Sequence, residues 1–239
     1  MALAVTTAAV PPPGEPDRAA ALLDAQARAK QLFAAVQRRR LIHAGTSDKA
    51  ASAAIHDLAA AMFGVTRHWH KRIVRSGPHT LLPYKEDPPD RVIEDDDIVF
   101  TDFGPVFDTW EADLGRTYVI GADPHKLKLR DDVARAFALG KERFASDLDI
   151  TGAGLFSFMN EVAAQMGWDC GSPHCGHIIG EFPHERIESD KRTLYITTGS
   201  DLPMRREGRS GATLHWILEV HFVDRARGFG AFFEELLTI

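Results

Sequence analysis

From residue 17 to about 42 the apolar positions Leu22, Ala25, Ala29, Leu32, Phe33 and Val36 return every three or four residues, which predicts a helix with one buried stripe. A second helix has Ala51, Ile55, Leu58 and Met62 as its stripe, and its ends are marked. Ser47 can accept from a free N–H of the first turn, Asp48 suits the positive end of the helix dipole, and Gly64 can take the left-handed conformation that ends a helix. Between 65 and 89 the pattern dissolves, and Pro78, Pro83, Pro88 and Pro89 predict loop with at most one short strand. Residues 98–103 read as a strand, Gly104-Pro105 as a turn, and 110–120 as the returning strand of a hairpin. Helical spacing resumes after Pro124 to about 144, through Leu127, Val133 and Phe137, and again from about 155 to 166, where Gly167 stops it. Past His184 the chain is strand-like at 192–198, 213–223 and 229–239. Helices, a hairpin, helices and then strands predict an α+β fold with an antiparallel sheet.

Composition removes several classes. A chain of 239 residues can bury a substantial core as one large domain or two small ones, and 44% hydrophobic with 26% charged residues is ordinary for a soluble globular protein. The net charge of −6, with no basic stripe interleaved with aromatics, argues against nucleic acid. Arg38-Arg39-Arg40 falls at the end of the first predicted helix, where cations complement the helix dipole. No stretch is long and apolar enough to span a membrane. Residues 1–16 are rich in Ala, Thr and Pro but lack a basic start and an apolar core. They read as a flexible leader bounded by Pro11-Pro12-Pro13-Gly14, with 17–239 as a single domain. Cys170 and Cys175 are too few for a disulfide framework or a structural zinc site, so a reduced, cytoplasmic setting is expected. The oligomeric state stays open, a homodimer included.

The candidate chemistry lies in Asp102, Asp113, His177, Glu219 and Glu234. Glu219 and Glu234 sit in strongly apolar stretches, where an acid is costly to bury unless it is paired or ligates a metal. The predicted hairpin brings Asp102 and Asp113 together across the strand pair. Four carboxylates converging with one imidazole repel one another unless cations lie between them. Other readings exist for each residue. Asp102 could cap a turn before Gly104, and Asp113 could pair with Arg116. Alternation groups Glu234 with Phe232 and Glu235 with Phe233, without saying which side faces the site. His68 and His70, flanking Trp69, have no partners at a recognised spacing and are expected to be solvent-facing loop histidines.

Several motifs occur in a telling order: Ser76-Gly77-Pro78-His79, Asp102-Phe103-Gly104, Asp113-Leu114-Gly115-Arg116-Thr117-Tyr118, then Gly176-His177 followed by His184-Glu185, then Glu219 and Glu234. Over about 76–239 this set resembles the metallopeptidases that include methionine aminopeptidase, Xaa-Pro aminopeptidase, prolidase and creatinase. The resemblance implies a pita-bread fold, a curved antiparallel sheet flanked by helices, as a catalytic domain. It implies two divalent ions (manganese, cobalt, iron or zinc), with Asp102 binding one bidentately, Asp113 and Glu234 bridging, and His177 and Glu219 completing the other. It also implies that His79 and His184 face the substrate, and its spacing from Gly230 favours Glu234 over Glu235. Four positions depart from the family pattern. Ile178 replaces a glycine, Ile187 and Val220 replace prolines, and Phe232 replaces the arginine of the Xaa-Pro branch. Cys175-Gly176-His177 is similar to methionine aminopeptidases. An intact metal set with altered neighbours predicts a narrow, rebuilt substrate pocket.

The residues themselves suit this chemistry. Two ions about 3.5–4 Å apart share a bridging water and generate hydroxide near neutral pH, which attacks a carbonyl polarised by a metal. Glu219 is the candidate for moving the proton to the leaving amine, with His184 and His79 stabilising the oxyanion. Glu185 is the candidate for orienting them. The expected function is cleavage of a peptide bond near an N-terminus or in a dipeptide. The rivals are a small non-peptide C–N bond, as in creatinase, and a noncatalytic binding module.

Overall fold

A computed structural model describes residues 14–184 and 192–239. Helix α1 (Glu15–Arg38) begins just inside the expected leader, with proline in its first turn, and its predicted stripe is buried. Helix α2 (Asp48–Phe63) has the expected ends: Ser47 Oγ accepts from Ala50 N–H at 3.2 Å, and Gly64 takes a φ of 69°. Strand β1 (Ile73–Ser76) and a 3-10 turn (Gly77–Leu81) follow. The expected strand at 98–103 is β2 (Ile98–Phe103). The single return strand expected at 110–120 is instead interrupted. A small hairpin of β3 (Val106–Phe107) and β4 (Trp110–Glu111) comes first, and β5 (Leu114–Val119) resumes after Ala112-Asp113.

Helix α3 (Pro124–Ser146) is capped by Asp123, whose carboxylate accepts from the N–H groups of His125 and Lys126. Helix α4 (Gly152–Met166) is capped by Thr151 and ended by Gly167 at φ 85°. The sequence pattern gave no warning of β6 (Asp169–Cys170) and β7 (His174–Ile179). β8 (Tyr195–Thr197), β9 (His215–Asp224) and β10 (Phe229–Leu236) lie where strands were expected. No described helix is long and apolar enough to cross a membrane.

The main sheet runs β1-β2-β5-β10-β9-β7-β8, with β6 also paired to β9, and its pairs are antiparallel. Its two faces differ sharply. Val99, Phe103 and Leu114 pack with the stripes of α1 and α2. Ile178, Leu218, Val220 and Phe222 pack with Leu129, Val133, Phe137, Leu155 and Met159 of α3 and α4. Successive side chains of a strand point to opposite faces. Phe100, Asp102, Glu219, His221, Phe232 and Glu234 therefore look away from these helices. This corrects the expectation about the pocket: Ile178 and Val220 belong to the helix-side core and narrow nothing at the site, while Phe232 packs on the site face with Phe100 and Ile73. Ile187 lies outside the described residues.

Candidate metal centre

One row of register partners crosses four strands: Asp102 on β2, Gly115 on β5, Glu234 on β10 and Glu219 on β9. Residues paired in this way share a face, so three carboxylates line up on the side away from the helices. Gly115 interrupts the row for a steric reason, since a Cβ there would lie 2.3 Å from the Phe232 ring. Asp113 stands in the break between β4 and β5, one residue before the Leu114–Phe103 pair that closes the β2–β5 ladder. His177 comes from β7. There Gly176, at φ 147°, lets the strand press against β9; a Cβ would sit 2.3 Å from the Ile217 carbonyl oxygen.

These elements bring all the expected ligand residues together. His177 Nε2 is 3.5 Å from Asp113 Oδ2 and 3.5 Å from Glu219 Oε1. Asp113, His177 and Glu234 offer ligand atoms within 4.8 Å of one another. Glu235 points the other way, paired with Arg116 and, at 2.5 Å, with Lys30. That pairing also leaves Asp113 without Arg116, so the alternation question is answered in favour of Glu234 facing the site.

His70 corrects an expectation. It is not a solvent-facing loop histidine, because its side chain is 6% exposed and its Nε2 lies 3.1 Å from Asp113 Oδ1 and 3.4 Å from Asp102 Oδ1. Trp69 beside it donates its indole N–H to the Ala112 carbonyl, and its ring meets those of His70, His177 and His184 edge-on. The segment lies so close over Gly104 that a Cβ there would be 2.3 Å from Trp69 Nε1. The signal was faint, since His70 precedes β1 and belongs to none of the ordered motifs. His68 stays outside the cluster, against His56 and Phe103, and burial pushes it down to about 3.

Glu111 was also missed. It is 1% exposed and accepts from both the backbone N–H (3.2 Å) and Nδ1–H (2.6 Å) of His184. The His184 ring stacks at 13° to that of His177, with centroids 6.4 Å apart. His79 lies on the 3-10 turn with Asp48 at 3.9 Å as its charged neighbour among the described residues, rather than any of the clustered acids. Glu185 lies outside the described residues.

The electrostatics record the crowding of acids. Burial pushes Asp102 and Glu219 each up to about 7 and Glu234 well above the carboxylate range. Burial also opposes ionisation of Asp113, but His70 and His177 outweigh it and bring Asp113 down to about 2. Against the same desolvation, Asp102 and Asp113 raise His70 to about 10, and Asp113 and Glu219 raise His177 to about 8. Without cations, then, protons must hold this cluster together. Glu234 Oε2 is buried with no hydrogen-bond partner, an arrangement that a bound cation would satisfy. Carboxylates with imidazole form a donor set for borderline or hard divalent ions, so the residues present fit such a group.

Comparisons with known proteins agree with the geometry. Residues 20–239 match the model of metallopeptidase family M24. Comparison with curated proteins gives no match. Among solved structures, the chain is similar to an X-Pro aminopeptidase from Thermotoga maritima, with 21% identity, a TM-score of 0.75, and coverage of 95% of this chain and 62% of that one. It is similar to a prolidase from Thermococcus sibiricus, with 21% identity, a TM-score of 0.72, and coverage of 92% and 56%. A dipeptidase from Mycobacterium ulcerans has 25% identity, a TM-score of 0.67, and coverage of 91% and 55%. The chain thus spans between 55% and 62% of the length of these relatives. With its mixed helices and antiparallel sheet, its row of carboxylates and its match over nearly the whole length, the chain belongs to metallopeptidase family M24 and has the pita-bread fold.

Proposed function

We propose that residues 17–239 form the catalytic unit of a dinuclear-metal peptidase that hydrolyses a peptide bond at an N-terminus or in a dipeptide. The observation that carries this reading is the row Asp102–Glu234–Glu219, closed by Asp113 and His177 and holding an unpartnered Glu234 oxygen. Asp102 and Asp113 would hold one cation, His177 and Glu219 the other, with Asp113 and Glu234 shared. When bound, divalent cations would supply Lewis-acid polarisation of the scissile carbonyl and would acidify the attacking water toward neutral pH.

The protein's own groups do the rest. Glu219, on the site face of β9, takes the proton of the attacking water and passes it to the leaving nitrogen. His184, as the imidazolium whose Nδ1–H is held by the buried Glu111 carboxylate, donates Nε2–H to the carbonyl oxygen as negative charge builds there. His79 is assigned to the substrate side on the strength of its motif. Phe232, with Phe100 and Ile73, makes an apolar wall beside the acids where an arginine is expected, which suits an apolar substrate side chain over an ionic anchor. The free thiols Cys170 and Cys175 support a reducing, cytoplasmic setting.

Elemental analysis of the purified chain, with a screen of dipeptides, Xaa-Pro peptides and Met-peptides under added manganese, cobalt or zinc, tests the proposal. Two cations per chain and metal-dependent cleavage are expected. Fewer than one cation per chain under replete conditions sinks it. Two cations with no peptide cleaved would move the activity to a small non-peptide amide.

A further inference from the structure

We infer that His70 is a further ligand of the metal centre, giving the Asp102–Asp113 side an imidazole to match His177 on the other side. The inference rests on the metal-centre reading above, and its argument is geometric. His177 Nδ1 lies 2.8 Å from the carbonyl oxygen of the next residue, Ile178, and its Nε2 faces one oxygen each of Asp113 and Glu219. His70 repeats this arrangement. Its Nδ1 lies 2.7 Å from the carbonyl oxygen of the next residue, Lys71, and its Nε2 faces one oxygen each of Asp102 and Asp113. A carbonyl only accepts, so in both rings Nδ1 carries the proton and Nε2 is the atom free to coordinate. Histidines that bind metals nearly always donate their other ring N–H in this way.

The spacings agree. Donor atoms at about 2.0–2.2 Å from one cation stand about 3.0–3.5 Å from each other. His70 Nε2 is 3.1 Å and 3.4 Å from its two carboxylate oxygens, and His70, Asp102 and Asp113 form a group whose ligand atoms lie within 4.8 Å of one another. An ion pair alone needs one acceptor on the line of one N–H. His70 Nε2 instead faces oxygens from two different segments, as does His177 Nε2. The ring is also held in place, by Trp69 on one side and by the bare Gly104 backbone beneath. The consequence is chemical: an imidazole turns a site of oxygen donors toward zinc, cobalt or iron and away from manganese.

The test is proton NMR in water of the full chain loaded with cobalt(II). Nδ1–H protons of coordinated imidazoles appear there as strongly shifted, solvent-exchangeable signals. The wild type is expected to show one such signal that His177→Ala removes and a second that His70→Gln removes. Gln can still donate to Asp113 but supplies no imidazole. His70→Gln should also weaken cobalt and zinc binding by about 10- to 100-fold, with manganese binding changed less. A wild type with a single shifted signal overturns the assignment, whether or not the variant folds, and so does a second signal that survives His70→Gln. A wild type that binds no cobalt fails at the earlier step and overturns the metal centre itself.

Discussion

A carboxylate that is 1% exposed must find donors, and Glu111 finds both of its own on one residue, the N–H and Nδ1–H of His184. Among the described residues the Glu111 carboxylate is bonded to His184 rather than to any of the clustered acids. Its effect on the reaction runs through the charge and orientation of His184. Glu111→Gln is therefore expected to lower kcat by about 10- to 100-fold with KM little changed and metal content intact. Steady-state kinetics alongside elemental analysis decide the matter, because loss of metal together with activity would make Glu111 structural instead. At this scale the sequence was legible where residue type and motif coincide, as at Asp102, Asp113, His177 and Glu219. Glu111 was illegible because a glutamate two residues before a motif aspartate carries no sign of its partner some seventy positions away. His70 was illegible for the same reason.

At the level of elements, β7 decides whether His177 reaches Glu219. It was missed because Gly171, Pro173 and Gly176 break the apolar alternation that marked β2, β9 and β10. One of those interruptions has a steric reason, for the bare Gly176 is what allows the backbone to approach Ile217. Gly176→Ala is expected to lower the thermal midpoint and weaken metal retention together, because relief of the contact with the Ile217 carbonyl must shift neighbouring His177. Gly64→Ala is the control: its φ of 69° is also strained, but nothing lies within 4 Å of its Cβ. It should cost about 1 kcal/mol without touching metal affinity. Thermal unfolding of both variants with and without chelator makes the comparison, and equal behaviour of the two would remove the role given to Gly176. The helices, by contrast, were legible nearly to their caps, since Ser47, Gly64 and Gly167 act within one turn of chain.

For the whole molecule the clustered acids set how stability depends on pH. Asp102 and Glu219, near 7, and Glu234, raised well above the carboxylate range by burial, bind protons in the folded chain that they release when it unfolds, and so do His70, near 10, and His177, near 8. A group whose folded pKa is raised contributes stability that is present below its unfolded pKa and lost as pH rises through the folded value. All of these act in one direction above pH 4. Asp113, held near 2, opposes them only in acid, where its stabilisation is lost as pH falls through that value. The metal-free protein should thus lose thermal stability steadily from about pH 5 to pH 9. Added zinc or cobalt should flatten or reverse the decline, because cations take the place of the protons. Thermal midpoints across this range, with chelator and with metal, measure it; parallel curves would refute the coupling.

What the sequence determined by itself is what short range controls: helix stripes and caps, the apolar strands β2, β9 and β10, and an ordered set of acids too costly to bury without a partner. What only the tertiary structure decided is which face each strand turns to the acids and what crosses the sheet. Strand register puts Glu234, not Glu235, in the row, and sends Ile178 and Val220 into the helix-side core. The folding of the loop before β1 over Gly104 brings in His70. The reason is the period of the strand: a shift of one residue reverses every side chain, and local sequence does not state which face the rest of the chain will cover.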